Sequence, residues 1–279
     1  SNPGGPIAPS ARGPMRFPTL LSGPSFTWRL GAAILLLAGS AMMPHSAAAQ
    51  AQPSPPSSAD PPATPLKIGI IGAGTMGGGI GKLWAAAGHE IFFSSRNPGE
   101  LAELVATAGP NTRAGRPEEA AAFGDIILLA VPSGALPQVG GDFSHLMQGK
   151  VVIEIGNPRA DRDGPQTQEW LDIGTGLASA HYFPGTRLVK AFNTLSAAML
   201  AKGKNQAGER IGVPVAGDDP TAVQVAANLV RDAGFDPVIV GPLARAREFD
   251  RGTPVWVTGM SAAQVREALK LPPSCCRGQ

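Results

Sequence analysis

Apolar runs of four to seven residues, closed by glycine, proline or polar pairs, recur from about residue 66 to residue 260. Lys67–Ile71, Asp125–Val131 and Lys150–Ile155 show no polar/apolar alternation, which predicts parallel strands buried on both faces. Shorter runs at Glu90–Ser95, Thr112–Ala114, Leu188–Phe192, Ile211–Ala216 and Pro237–Val240 predict further strands. Pro214 cannot donate to a ladder, so its strand is expected at an edge or a bulge. Between these runs the apolar spacing changes to three or four, as at Ile80, Leu83, Trp84 and Ala87. Helices are accordingly predicted over Ile80–Gly88, Gly99–Ala108, Pro117–Phe123, Thr221–Ala233, Leu243–Phe249 and Ala262–Leu269, with a short one from Ser196. Thr221–Ala233 has the fullest boundary signals: Asp218 or Asp219 to cap it, Pro220 to start it and Gly234 to end it. Strands alternating with helices argue an α/β fold with a doubly wound parallel sheet and a small C-terminal α/β extension.

Composition changes sharply along the chain. Residues 1–14 are rich in Pro and Gly and read as disordered. Leu30 to Met43 is an apolar run preceded by Arg16 and Arg29 and followed by Ala47-Ala48-Ala49. That order resembles a cleavable secretory signal, and the run is short for a bilayer span of about 20 residues. A periplasmic or secreted location is expected if the signal functions, and a cytoplasmic one if it does not. Membrane contact is expected only through this N-terminal segment. Residues 50–65 form a Pro/Ser/Ala linker, residues 66–260 the globular domain and residues 261–279 a tail.

Charge and cysteine usage narrow the chemistry. The formal charge is +2, but residues 1–49 hold three arginines and no acid, so the remainder carries 20 basic and 21 acidic residues. No basic patch with interleaved aromatics stands out, which argues against nucleic acid as a partner. Cys275 and Cys276 are adjacent near the C-terminus, and neither they nor the four histidines have metal-ligand spacing. His89, in the turn Gly88-His89-Glu90, is expected to serve a helix end.

The domain is organised around Gly72, Gly74 and Gly77, in G-x-G-x-x-G spacing between the first strand and the first helix. This is the Rossmann dinucleotide fingerprint: Gly72 for the tight turn, Gly74 for close approach of a pyrophosphate, Gly77 for helix–strand packing. The first helical N–H groups and the positive end of the helix dipole would face the phosphates, and Thr75 and Met76, inside the fingerprint, are expected to bind the cofactor with its glycines. A carboxylate at the end of the second strand would select NAD. Here the strand ends in Ser95-Arg96, a hydroxyl and a charged fork suited to the 2′-phosphate of NADP(H).

Further along stand DIILLAVPSGALPQV at 125–139, GKVVIEIGNP at 149–158, LVKAFNTL at 188–195, VPVAGDD at 213–219 and AGFDPVIVGPL at 233–243. With KIGIIGAGTMG at 67–77 and GHEIFFSSRNP at 88–98, their order resembles the NADPH-dependent reductases of the deazaflavin coenzyme F-420, within the broader class of NADP-binding, pyrroline-carboxylate-reductase-like oxidoreductases. The oxidoreductase domains of membrane ferric reductases look similar too. The resemblance implies that Ser95 and Arg96 bind the 2′-phosphate. It implies that Ala130, Val131 and Pro132 line the nicotinamide side, and that Asn193, with Thr194, borders the second cofactor. Asn157, after the fifth strand, lies at the same edge. Asn157 and Asn193 are thus the expected catalytic-site residues, orienting rings by hydrogen bonds. The partner is expected to be a small redox substrate of deazaflavin type, and the chain could pair as a homodimer. Ala73 stands where relatives often carry Thr, removing one phosphate contact. Two alternatives remain: a dehydrogenase of a small hydroxy or imino acid, with Lys190 as proton donor, and a non-catalytic NADP-binding redox module.

Overall fold

The computed structural model describes residues 64–272. The leader, nearly all of the linker and both cysteines lie outside them. The elements are β1 (Lys67–Ile71), α1 (Thr75–Ala86), β2 (Glu90–Ser94), α2 (Ala102–Ala108), β3 (Thr112–Gly115), α3 (Pro117–Phe123), β4 (Ile126–Leu129), α4 (Leu136–Phe143), β5 (Val151–Glu154), α5 (Ala160–Asp163), α6 (Thr167–Ile173), α7 (Thr175–Tyr182), β6 (Arg187–Lys190), α8 (Ala197–Lys202), β7 (Gly212–Gly217), α9 (Pro220–Asp232), β8 (Asp236–Gly241) and α10 (Ala262–Ala268).

All eight strands form one sheet in the order β3-β2-β1-β4-β5-β6-β7-β8. The first six are parallel and in the Rossmann order, whose direction of winding reverses between β1 and β4. β7 then runs antiparallel to β6 and parallel to β8, so the sheet is mixed at its far end. The strands beyond β6 therefore continue the main sheet, and α10 packs Val265 against β7 and β8.

Side chains alternate across this sheet as the pleat requires. Ile68, Ile70, Ile126 and Leu128 join one core with Ile80 and Trp84 of α1 and Ala226 and Leu229 of α9. Ile71, Ile127 and Leu129 join a second core with Ala121 of α3, Leu136 of α4 and Phe183. The Trp84 indole donates to Leu229 O at 2.7 Å, tying α1 to α9 inside the first core. Asp219 caps α9 through Ala222 N at 2.7 Å, as its position before Pro220 predicts.

Three local readings need correction. β6 stops at Lys190 and does not reach Phe192, because Phe192 turns into the left-handed region at φ 60°. Leu243–Phe249 is a 3₁₀ helix, burying Leu243, Ala246 and Phe249 at a spacing of three. The segment 98–108 opens as a 3₁₀ turn and becomes α-helical only from Ala102. Pro214 sits where β7 has one partner, β8, since β6 pairs only with Ala216 and Gly217, and a bulge follows between Val215 and Ala216.

Candidate functional site

Every predicted site residue lies at the carboxyl edge of the parallel strands, around the reversal between β1 and β4, where such sheets bind ligands. The glycine turn is built as its spacing predicts. Gly72 adopts φ +96°, and a Cβ there would stand 2.6 Å from Ala130 O. Gly77 packs so closely that a Cβ would lie 2.2 Å from Gly72 O. Gly74 is different: a Cβ would meet nothing within 4 Å, so its outer side is open. It is also the N-cap of α1, with no side-chain cap and no acidic residue in the first turn. The leading N–H groups of a twelve-residue helix, through Thr75 and Met76, thus lack a side-chain acceptor beside an open glycine.

At the end of β2, Ser94 is buried and its Oγ donates to Ile70 O at 2.7 Å, fixing β2 against β1. Ser95 Oγ accepts from Asn97 N at 3.1 Å, which leaves its own O–H to donate outward. Arg96 is exposed and has no ion-pair partner among the described residues. Ala130, Val131 and Pro132 follow β4 directly, with Ala130 N bonded to Ile71 O at 2.9 Å, so this turn abuts the glycine turn.

Asn157 and Asn193, 36 residues apart, are brought into contact. Asn157 Nδ2 donates to Asn193 O at 2.8 Å, while Asn193 Nδ2 donates to Phe249 O at 3.1 Å and lies 3.5 Å from Asn157 Oδ1. Asn193 is buried and Asn157 half-buried, so Asn157 is the more accessible amide. Strain and unsatisfied groups gather around Asn193. Phe192 and Val257, both bulky, hold positive φ of 60° and 53°. Buried Asn193 Oδ1, Thr194 Oγ1, Thr253 Oγ1 and Trp256 Nε1 lack partners. Such concentrations call for an explanation at the site itself.

Lys190 does not reach the cleft. It is fully buried, its Nζ 2.5 Å from both Glu154 Oε2 and Gly156 O, which removes it as an accessible proton donor. His89 is also structural. Its Nδ1 accepts from Leu66 N at 3.2 Å and its Nε2 lies 3.1 Å from Asp232 Oδ2 at the end of α9, away from the carboxyl edge.

One residue escaped sequence reasoning. Asp163, in an Asp-Arg-Asp run that reads as solvated surface charge, has a fully buried side chain. It accepts from Gly134 N at 3.0 Å, Arg159 N at 2.8 Å and the Arg162 guanidinium at 2.8 and 2.9 Å. Arg162 also donates to Asn157 O at 3.0 Å. A chain of bonds therefore links the turn after β4 to the loop after β5 and on to Asn193. Burial pushes the Asp163 carboxyl up, but the Arg162 guanidinium and the two backbone N–H groups outweigh it and hold it below the usual carboxylate range. A depressed folded-state value contributes stability above the unfolded value of about 3.9, lost as pH falls through the folded one. Asp163→Asn is therefore expected to cost about 2 kcal/mol at neutral pH, with the deficit shrinking on acidification. Thermal unfolding of both proteins across that range checks this; a pH-independent deficit would assign the effect to shape rather than charge.

Residues 67–158 match the family described as NADP oxidoreductase, coenzyme F420-dependent. The match covers 92 of the 279 residues. Among solved structures, the chain resembles a hypothetical protein from Sinorhizobium meliloti, with 26% identity and a TM-score of 0.58, covering 70% of this chain and 95% of that one. A candidate F420-dependent NADP-reductase from Arthrobacter sp. FB24 shares the fold at TM-score 0.59 and 24% identity, covering 74% of this chain and 96% of that one. Over 205 residues, 71% of the chain, it is 30% identical to the metalloreductase STEAP3 of Rattus norvegicus, and over 186 residues, 66% of the chain, 27% identical to human metalloreductase STEAP2. The chain spans 39% and 35% of those two proteins.

Proposed function

We propose that the domain binds NADPH at the glycine turn and transfers hydride between its nicotinamide and a flat redox ring of deazaflavin type. The observation that carries the reading is the pairing of the uncapped α1 terminus beside open Gly74 with unpaired Arg96 one strand away. A pyrophosphate fits the first and a 2′-phosphate the second. Bound NADPH would supply the hydride and the ring would accept it, so the protein's work is positioning and exclusion of water. Ala130, Val131 and Pro132 would wall the nicotinamide side, and Asn157, held by Asn193 and Arg162, would orient a ring or carboxamide. No acid–base group is required. That agrees with an edge whose buried Lys190 and Asp163 are both fully engaged within the protein.

Arg96→Ala is expected to weaken NADPH about ten- to a hundredfold, the worth of a charge-assisted pair, and to leave NADH nearly unchanged. Equal losses for both nucleotides would sink the assignment. Turnover of NADPH with a deazaflavin, a flavin, ferric chelates and small oxo or imino acids tests the acceptor. The likeness to metalloreductases favours a second reading, in which the domain supplies electrons for metal reduction. Turnover with flavin or ferric chelate, and not with deazaflavin, would select it.

A further inference from the structure

Helix α1 carries glycine at four of the five positions 77–81, although glycine weakens a helix interior more than any residue except proline. Two of the four answer to the turn and the sheet. A Cβ on Gly77 would strike Gly72 O, and one on Gly81 would lie 2.3 Å from Phe93 Cε1 and 2.5 Å from Ile70 Cδ1. A Cβ on Gly78 would stand 3.3 Å from Leu104 Cδ2 of α2. Gly79 meets neither turn nor sheet. A Cβ there would approach one side chain only, Leu200 of α8, with its Cδ2 at 2.5 Å and its Cγ at 3.7 Å. Leu200 is buried, so its δ-methyl occupies the place that a side chain on residue 79 would take.

The segment that ends in Leu200 gives this contact its meaning. Ser196 Oγ caps α8 by accepting from Met199 N at 3.3 Å, and Ser196 O accepts from Leu200 N at 2.9 Å. Leu195 N donates to Phe192 O at 3.1 Å, so hydrogen bonds run through residues 192–200. The start of the segment also rests on α1: the Phe192 ring stands at 81° to the Trp84 indole, with centroids 5.8 Å apart. Between the two contacts lies Asn193, whose carbonyl accepts from Asn157 Nδ2. One helix thus carries the open end at Gly74 and, along its side, the segment that places both amides.

We infer that α1 sets the distance between the nicotinamide and the ring that receives the hydride, and that Leu200, seated on Gly79, is the positioning residue that fixes it. The inference rests on the hydride-transfer reading, and adds what holds the two halves of the site at their working separation. Reacting atoms must approach to about 3–3.5 Å, and a displacement of about 1 Å by a remote substitution can cost about a hundredfold in rate. A Cβ on residue 79 demands a shift of that order, since carbons at 2.5 Å must part to roughly 3.5 Å. The obstacle is the free end of a side chain, and alanine strengthens the helix, so the fold is expected to survive the substitution.

In the full chain, Gly79→Ala is therefore expected to slow single-turnover hydride transfer from saturating NADPH to 5-deazariboflavin at least about tenfold, with NADPH affinity and the melting midpoint nearly native. Gly79→Ala/Leu200→Val should recover most of the rate, because valine ends at its γ carbons and Leu200 Cγ already stands at ordinary contact distance. An unchanged rate, a loss that follows NADPH affinity or stability, or a double variant as slow as the single one would overturn the inference. Hydrogen exchange gives a readout that needs no turnover, since a nucleotide that pins the end of α1 restrains what is packed along it. NADP⁺ is expected to slow exchange across residues 192–200 in the native chain and the double variant, and much less in Gly79→Ala. A native chain that transfers no hydride but shows this pattern would remove the hydride-transfer reading and leave the link between α1 and α8 standing. Exchange across 192–200 that NADP⁺ leaves untouched would overturn the link, whether or not the chain turns over.

Discussion

Lys190→Met is expected to cost about 3–5 kcal/mol, because it leaves a buried carboxylate without its cation. The pair joins the last residues of β5 and β6, with both side chains about 1% exposed. Glu154 would keep only Ser179 Oγ at 3.2 Å and the Gly156 N–H as donors. Gly156 O would lose the Nζ that now lies 2.5 Å away. A protein with so few kcal/mol in reserve should show this as a large fall in the midpoint of thermal or urea unfolding. Glu154→Met/Lys190→Met removes both charges and should recover most of the loss, since apolar groups of similar volume often replace such pairs at little cost. If the double variant melts no higher than the single one, the pair matters for something other than charge balance. The pair also holds Gly156, next to Asn157. Recovered stability without recovered turnover would show that it positions the loop carrying that amide.

Three strands buried on both faces, β1, β4 and β5, were legible because their apolar runs are unbroken, and the alternation with helices carried the shorter runs of the other parallel strands. The glycine turn was legible too, since each glycine answers a steric demand: the positive φ of Gly72, the contact of Gly77 with Gly72 O, the open side of Gly74. What the sequence hid is non-local. Leu188 to Phe192 reads as one apolar run, and nothing in it signals that Phe192 turns left-handed and leaves the sheet. The reversal of β7 against β6 is likewise silent. Asp163 looks like surface charge because its partners include Gly134 N, 29 residues away. One signal was overlooked: Leu243, Ala246 and Phe249 recur every third residue, the period of the 3₁₀ helix they form.

Two glycine substitutions separate folding from binding within one loop. Gly77→Ala puts a Cβ 2.2 Å from Gly72 O and 2.9 Å from Ala130 Cβ. The nearer obstacle is backbone, so α1 must move off β1 or the turn must open. The expected cost is about 3 kcal/mol, at the high end for overpacking, with NADPH binding lost as the helix terminus shifts. Gly74→Ala meets no protein atom, and Gly74 already has φ −75°, which alanine adopts freely. Its stability should change by less than about 1 kcal/mol, since the poorer N-cap offsets the stiffer unfolded chain. Its NADPH affinity should nevertheless fall at least about tenfold, because the new methyl takes the space a pyrophosphate needs. Melting curves with and without NADPH distinguish the two. Gly77→Ala should melt low in both, while Gly74→Ala should melt like the native chain alone and lose most of the upward shift that NADPH gives. A Gly74→Ala protein that keeps the full shift would place the pyrophosphate elsewhere, and the open side of α1 would then need another occupant.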